Sequence, residues 1–437
     1  MKTTPCSSAL EHRASRRAFL GCAAGLLAGG TAGLDFLGSP VLADQLRKEQ
    51  KRAILIFLAG GASQFETWDP KPGRPTGGPY QSIQTAVPGV RLCELMPEMA
   101  KRLHRYTAII RSLSTQNTEH SGPLVEALMS GQRSDVGSLR TPSLGCLLAR
   151  ELSPPDSLLP ANIDLGTLRD PATNVHKDAA VFLGGQFEPL RILGQLAPDA
   201  SRLPTSLNDA DHRARSELRD QLSRNFAAGR LRDASMVSHG TAYARVRGLM
   251  AQSHLFDISK EPAVIRDRYG HSLFGQQALV ARRLVEGGVP FVRLTRGWWD
   301  SHGENFDIHA ELVPDLDQVM SALLDDLDQR GLLRNTLVIT FSEMGRTPNI
   351  NNQRGRDHWG TCWSVTLSGC GVRGGAVYGS TNADGTAVAE NKVTTAEFFA
   401  TIFKALGIDH RKEYAAPDGR PLGLTPYNTR TIDAILT

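Results

Sequence analysis

Short, fully apolar runs recur along the chain, each ending in a polar, glycine-marked break, and helical patterns lie between them. Ile54-Leu55-Ile56-Phe57-Leu58 stops at Gly60-Gly61, and Leu337-Val338-Ile339-Thr340-Phe341 breaks into Ser342, Glu343, Gly345 and Arg346. Unbroken apolar runs of this length, with no alternation, predict strands of a parallel sheet covered on both faces. Thr107–Ile110, Val289–Leu294 and the shorter Asn162–Leu165 and Ala180–Phe182 read as further strands. Helical spacing predicts helices at Met96–Arg105, from Leu124 to a stop at Gly131, at Gln276–Glu286 before Gly287-Gly288, at His309–Arg330 and at Thr394–Leu406. Strand, helix and strand joined by short links predict an α/β fold with a doubly wound, largely parallel sheet. The strongly charged stretch Ala210–Ser259 reads as a surface helical region, an insertion around residues 205–260.

The amino-terminal pattern differs. Ser15-Arg16-Arg17-Ala18-Phe19-Leu20 opens an Ala/Gly-rich apolar run to Leu37, and Val41-Leu42-Ala43 supplies a small-residue cleavage site. This predicts a twin-arginine export signal over residues 1–43, a mature chain over 44–437 and a periplasmic or extracellular destination. Gly21, Gly25, Gly29, Gly30, Gly33 and Asp35 make the run too weakly apolar for a good membrane anchor, and no later stretch is apolar enough to span a bilayer. The length of 437 residues suits one large domain or two. A net charge of only +4, with no basic block interleaved with aromatics, implies no nucleic-acid partner. Four cysteines remain after cleavage, Cys93, Cys146, Cys362 and Cys370; disulfides and free buried thiols are equally open readings.

Candidate chemistry gathers at three strand ends, where an α/β sheet places its ligands. One carries Glu119-His120-Ser121, one Asp300 and His302, and one Glu343, Arg346, Asp357 and His358. Histidines and carboxylates on one sheet edge suit a divalent ion such as zinc, manganese, calcium or magnesium, which would activate a nucleophile or polarise a phosphoryl or sulfuryl oxygen. Arg346 offers a bidentate fork for an anion, and Ser121 is a nucleophile once a metal or base activates it. Each residue also has a structural reading: Asp300-Ser301-His302 as a helix cap, Arg346 paired locally with Glu343.

Several long motifs resemble the DUF1501 family. They are Leu58-Ala59-Gly60-Gly61-Ala62-Ser63-Gln64-Phe65-Glu66-Thr67-Trp68-Asp69-Pro70-Lys71-Pro72, Tyr269-Gly270 through Glu286, Trp299-Asp300-Ser301-His302, Phe341-Ser342-Glu343-Met344-Gly345-Arg346-Thr347-Pro348 and Gly355-Arg356-Asp357-His358-Trp359. That family is regarded as related to alkaline phosphatases and sulfatases. The resemblance implies an alkaline-phosphatase-like three-layer α/β sandwich and hydrolysis of a sulfate or phosphate ester, on an anionic small molecule or a polysaccharide. It also implies that Ser121 occupies the nucleophile position, although Val125 stands where a sulfatase carries arginine. Asp300, His302 and His358 resemble metal ligands, with Glu343 a further candidate, whereas Met344 replaces a histidine. Gly60 and Gly61 stand where an acidic residue follows the first strand, so Glu66 or Asp69 would have to compensate. The expected site therefore has Ser121, His120 and Arg346 as catalytic groups and Asp300, His302, His358 and Glu343 as ligands of one ion. The alternative is a non-catalytic glycan- or envelope-binding protein on a degenerate version of the fold.

Overall fold

In the computed structural model, strand β1 (Arg52–Leu58) is buried along its whole length, and its side chains divide by parity between two cores. Ile54, Ile56 and Leu58 enter one core; Ala53, Leu55 and Phe57 enter the other. Successive strand residues face opposite ways, so an unbroken apolar run is what a strand covered on both sides requires. The structure describes residues 49–131, 140–154, 157–166, 179–198, 208–227 and 234–437. The account below concerns the unit Lys51–Thr437; the expected signal at residues 1–43 lies outside the described residues.

Seven more strands join β1: β2 (Thr107–Leu113), β3 (Asn162–Gly166), β4 (Leu190–Leu193), β5 (Phe291–Arg296), β6 (Thr336–Phe341), β7 (Trp363–Gly369) and β8 (Val377–Tyr378). Their order is β8-β2-β7-β6-β1-β5-β3-β4. Every neighbouring pair is parallel except the two made by β7, which runs antiparallel between β2 and β6. One face is covered by α1 (Pro97–Tyr106), α7 (Leu273–Gly287) and α8 (Asn305–Gln329), whose apolar residues share a core with Ile54 and Val338. The other is covered by α2 (Pro123–Ser130), α3 (Leu144–Leu152) and α9 (Thr395–Ala405), packed with Leu55 and Ile339. This is the expected three-layer α/β sandwich with a largely parallel sheet. Helices α4 (Asp209–Ala227) and α5 (Ala234–Ala251) fall in the charged stretch read as helical, and α6 (Ala263–Tyr269) follows them.

Local chemistry fixes the helix ends. Ser272 accepts from the Gly275 amide at the start of α7, and Gly288, at φ +106°, ends it. At α9 a capping box joins Thr394 and Glu397. The Asp317 carboxylate, on α8, accepts from the Glu98 and Met99 amides at 2.8 and 2.7 Å and so caps α1 from outside.

Two strand expectations need correction. Ala180–Phe182 is a turn: the Leu183 amide donates to the Ala180 carbonyl, and Val181 sits at φ +52°. The strand expected at Val289–Leu294 runs instead from Phe291 to Arg296; Pro290 has no amide for the ladder. All four cysteines are buried and free. Among the described residues no helix is long and apolar enough to cross a membrane.

Candidate metal centre

β2, β5 and β6 all point the same way, so the loops that leave them share the carboxyl edge of the sheet. After β2, the Thr115 amide donates to the Gly360 carbonyl at 2.8 Å. The buried Asn117 amide group bridges the carbonyls of Glu119 and Glu343, both at 3.0 Å, and so ties the β2 exit to the β6 exit. After β5, the Trp299 amide donates to the Ala59 carbonyl, while its ring packs edge-on against His309. A Cβ on Gly60 would lie 2.4 Å from the Asp300 nitrogen, so this approach of two backbones needs glycine at Gly60. After β6, Gly345–Arg346 pairs antiparallel with His358–Trp359, with His358 opposite Arg346.

These loops bring three imidazoles around one carboxylate. His120 Nε2 lies 3.3 Å from Asp300 Oδ2, and His302 Nε2 and His358 Nε2 each lie 3.1 Å from Asp300 Oδ1. The Nε2 atoms of His302 and His358 are 2.9 Å apart. Donor atoms of His120, Asp300 and His358 fall within 4.8 Å of one another.

The opposite ring nitrogens decide what this means. His358 Nδ1 is 2.6 Å from the Thr118 carbonyl, which can only accept, so that nitrogen carries the proton. His120 Nδ1 faces Glu343 Oε1 at 2.8 Å and His302 Nδ1 faces Asp357 Oδ1 at 2.7 Å, so both donate as well. Each neutral ring then turns a bare Nε2 lone pair toward a carboxylate or another ring, and only a proton or a cation between them makes that favourable. His120 Nε2 is buried and faces the Asp300 carboxylate. Metal-binding histidines are held through the other nitrogen by a carboxylate or carbonyl in this way. Tetrahedral Zn–N bonds of about 2.0–2.1 Å put donors roughly 3.3 Å apart. The residues fit a divalent ion.

Without an ion, protons take up the charge. Burial draws the His120 pKa down, but hydrogen bonds to Asp300 and Glu343 outweigh it and push it up to about 9. Burial raises the Asp300 pKa, and the opposing hydrogen bonds from His120 and His358, with the nearby Arg346 charge, hold it well below the usual carboxylate range.

The expected residues separate into groups. Asp300, His302 and His358, expected as ligands, lie together, and His120, read from sequence as catalytic, lies with them. Glu343, expected as a ligand, is fully buried; its Oε1 accepts from the Gly60 amide at 2.7 Å and orients His120. Arg346, expected on a substrate anion, is also fully buried. Its Nε donates to the Gly61 carbonyl, one terminal nitrogen to the Arg356 carbonyl, and the other to the Gly60 carbonyl and, at 2.6 Å, to Asp300 Oδ1. It pairs with Asp300 and not, as the local reading had it, with Glu343. Neither candidate for the missing acid compensates: Glu66 is buried against Arg356 at 2.9 Å, and Asp69 is bound by Lys71 and Thr381. Asp300-Ser301-His302 does not cap α8; Ser301 Oγ bonds the Asn305 side chain, and Glu304 at φ +48° begins the helix. Ser121 is exposed at the start of α2 and makes no hydrogen bond among the described residues. Sequence reasoning missed Asn117 and the Thr118 carbonyl, which no local pattern marks, and gave Asp357 no partner. His309 resembles the others by type only: its Nε2 accepts from the Ser63 amide, and burial pulls its pKa down to about 4.

Among solved structures the chain is similar to the PsFucS1 sulfatase from Pseudoalteromonas sp., at 12% identity and TM-score 0.38 over 84% of this chain and 69% of that one. It is also similar to a protein of the alkaline phosphatase superfamily from Vibrio parahaemolyticus, at 10% identity and TM-score 0.38 over 83% and 67%. The phosphonate monoester hydrolase SpPMH from Silicibacter pomeroyi matches at 10% identity and TM-score 0.37 over 89% and 76%. No curated protein matches the sequence. The family model for DUF1501, a protein family of unknown function, matches residues 50–436, and the chain belongs to that family.

Proposed function

We propose that the protein is an exported hydrolase of sulfate or phosphate monoesters that holds one divalent ion between His120, Asp300 and His358. One observation carries this reading: three Nδ1 protons tied to acceptors, with three Nε2 atoms turned on Asp300. Two imidazoles and a carboxylate suit zinc or manganese better than magnesium or calcium, which prefer all-oxygen sites. An ion held there would supply Lewis-acid charge to a phosphoryl or sulfuryl oxygen and acidify a nucleophile.

The chain's own groups do the rest. Arg346 fixes Asp300, Glu343 and Thr118 set the His120 and His358 rings, and exposed Ser121 is the nucleophile or positions the ester. His302, half exposed and oriented by Asp357, is the ring that exchanges a proton with the leaving group. Metal analysis of the purified protein, with aryl-sulfate and aryl-phosphate assays in zinc, manganese, magnesium and calcium, tests the reading. His358→Ala should lose the ion, and His302→Ala should keep it while losing turnover. Loss of the ion in His302→Ala would make His302 a ligand instead. Protein that takes up no ion and turns over no ester sinks the proposal. Gly60 and Gly61 in place of an acid favour a second reading, a glycan- or envelope-binding protein, which ion binding without turnover under every metal would support. Export is tested by fractionating cells that express the Arg16→Lys, Arg17→Lys double variant.

A further inference from the structure

We infer that Asn351 is a positioning residue for His302: its side-chain amide holds the His302 backbone and the Asp357 carboxylate together, and so aims the ring at a leaving group. The inference rests on the hydrolase reading for the destination of the proton but not for the hold on the ring.

The His302–Asp357 pair lies at the rim, with side chains 46% and 53% exposed. Packing does not fix a ring so exposed, and a lone exposed pair is screened by solvent and opposed by side-chain entropy. A ring that hands a proton to a leaving oxygen needs closer control, because a misplacement of about 1 Å lowers a rate by about 10²-fold. Hydrogen bonds from behind the pair supply that control where packing does not.

They come from the loop over residues 347–357, which joins Gly345–Arg346 to His358–Trp359 and lies against the start of α8. The Glu304 and Asn305 amides donate to the Gln353 and Arg354 carbonyls at 3.0 and 3.1 Å, and the Arg356 amide donates to the Ser301 carbonyl at 3.0 Å. Gly355 passes so close that a Cβ there would lie 1.8 Å from the His302 carbonyl oxygen, an approach that needs glycine.

Asn351 sits inside this turn. Its Oδ1 accepts from the Gln353 and Gly355 amides at 3.0 and 2.9 Å. Its Nδ2 donates to the His302 carbonyl at 2.8 Å and to Asp357 Oδ1 at 3.4 Å. Two N–H donors on one side and two oxygen acceptors on the other leave the amide one orientation. Asp357 Oδ1 is also the atom that faces His302 Nδ1 at 2.7 Å. One amide therefore grips His302 twice, by its backbone directly and by its ring through the carboxylate. The Asp357 backbone is clamped separately, its amide on Thr347 Oγ1 and its carbonyl on the Thr347 amide. What Asn351 adds is the direction of the carboxylate.

The oxygen half alone would close the loop as an Asx turn does, so the two halves are tested apart. Asn351→Asp has the same shape and keeps the acceptor for both loop amides, but it sets a carboxylate oxygen against the His302 carbonyl and Asp357. The zinc-loaded mature chain, isotope-labelled at histidine, reads the His302 Nδ1 proton by NMR, with His302→Ala for assignment. Phenyl and para-nitrophenyl sulfates and phosphates read turnover. Asn351→Asp should keep the zinc, speed exchange of the Nδ1 proton, and lower kcat for the phenyl esters roughly tenfold or more. The para-nitrophenyl esters should be spared, because their weakly basic leaving oxygen departs without a proton. Asn351→Ala should behave alike and lose Tm as well, since it also opens the turn. An Nδ1 proton no better protected in wild type than in Asn351→Asp overturns the inference. So does a loss of kcat equal for both leaving groups, or an Asn351→Asp variant that matches wild type while Asn351→Ala loses Tm, which would make Asn351 a turn residue only. Wild type that turns over no ester, with the Nδ1 proton still loosened in Asn351→Asp, removes the hydrolase and leaves the hold on the ring standing.

Discussion

Replacing Arg346 with methionine removes the donors to three carbonyl oxygens, those of Gly60, Gly61 and Arg356, and to one oxygen of Asp300. A buried acceptor left without a donor costs about 1–3 kcal/mol, and taking the low end for three carbonyls near a solvent-lined edge gives about 3 kcal/mol. The Asp300 side chain is 37% exposed, so its lost ion pair is screened and adds at most about 1 kcal/mol. Unfolding entropy of about 2.1 cal/mol/K per residue, over the unit Lys51–Thr437, makes each kelvin worth about 0.8 kcal/mol. Arg346→Met should therefore lower Tm by about 4–5 °C. Calorimetry of chelator-treated protein reads this directly, and metal content read beside it should fall as Asp300 loses its anchor. A guanidinium reserved for a substrate anion makes the opposite forecast, unchanged Tm with a raised KM. An unaltered Tm would refute the framework role.

Other variants probe the surrounding frame. Gly60→Ala puts a Cβ 2.4 Å from the Asp300 nitrogen at φ +111°; the backbone cannot give way cheaply, and a loss of at least about 2 kcal/mol should appear in denaturant titration. Glu343→Gln keeps an acceptor for the Gly60 amide but weakens the hold on His120, so metal affinity in a chelator competition should fall about 10–100-fold. A direct ligand would cost far more, and no change would exclude the orienting role. In metal-free protein His120 titrates near 9, against about 6.5 unfolded. Its contribution to stability is then full below about pH 6.5 and lost as pH rises through about 9. Tm profiles of wild type and His120→Gln should differ in that window, and ion affinity should climb with pH across it because the ion displaces the proton.

The frame was legible wherever local physics sufficed. The apolar runs at β1 and β6 are sandwiched strands and read as such, and the helical spacing over Thr394–Leu406 became α9. Ala180–Phe182 misled because three apolar residues carry no period, and Val181 leaves the extended region altogether. At the site, sequence placed His120, Asp300, His302 and His358 at one sheet edge, where they do lie together, but residue type does not say what a side chain meets. Arg346 meets carbonyls contributed by the end of β1, and Glu343 meets His120 from 223 positions away. Both depend on strand order, with β6 lying beside β1 and one strand from β2, and short-range pattern holds no record of that order.

The bond between His358 and the Thr118 carbonyl spans 240 positions, and that between His120 and Glu343 spans 223. Loops that long close late, since their entropy must be met before the contact returns anything. The imidazole cluster is thus absent from any fragment that ends before His358 and from any partly assembled sheet. A species that binds only the closed cluster acts as a latch on the finished chain, adding RT ln(1 + [L]/Kd) to its stability and nothing to that of its precursors. Ion loading, followed during refolding, would time the moment when β2, β5 and β6 are all in register.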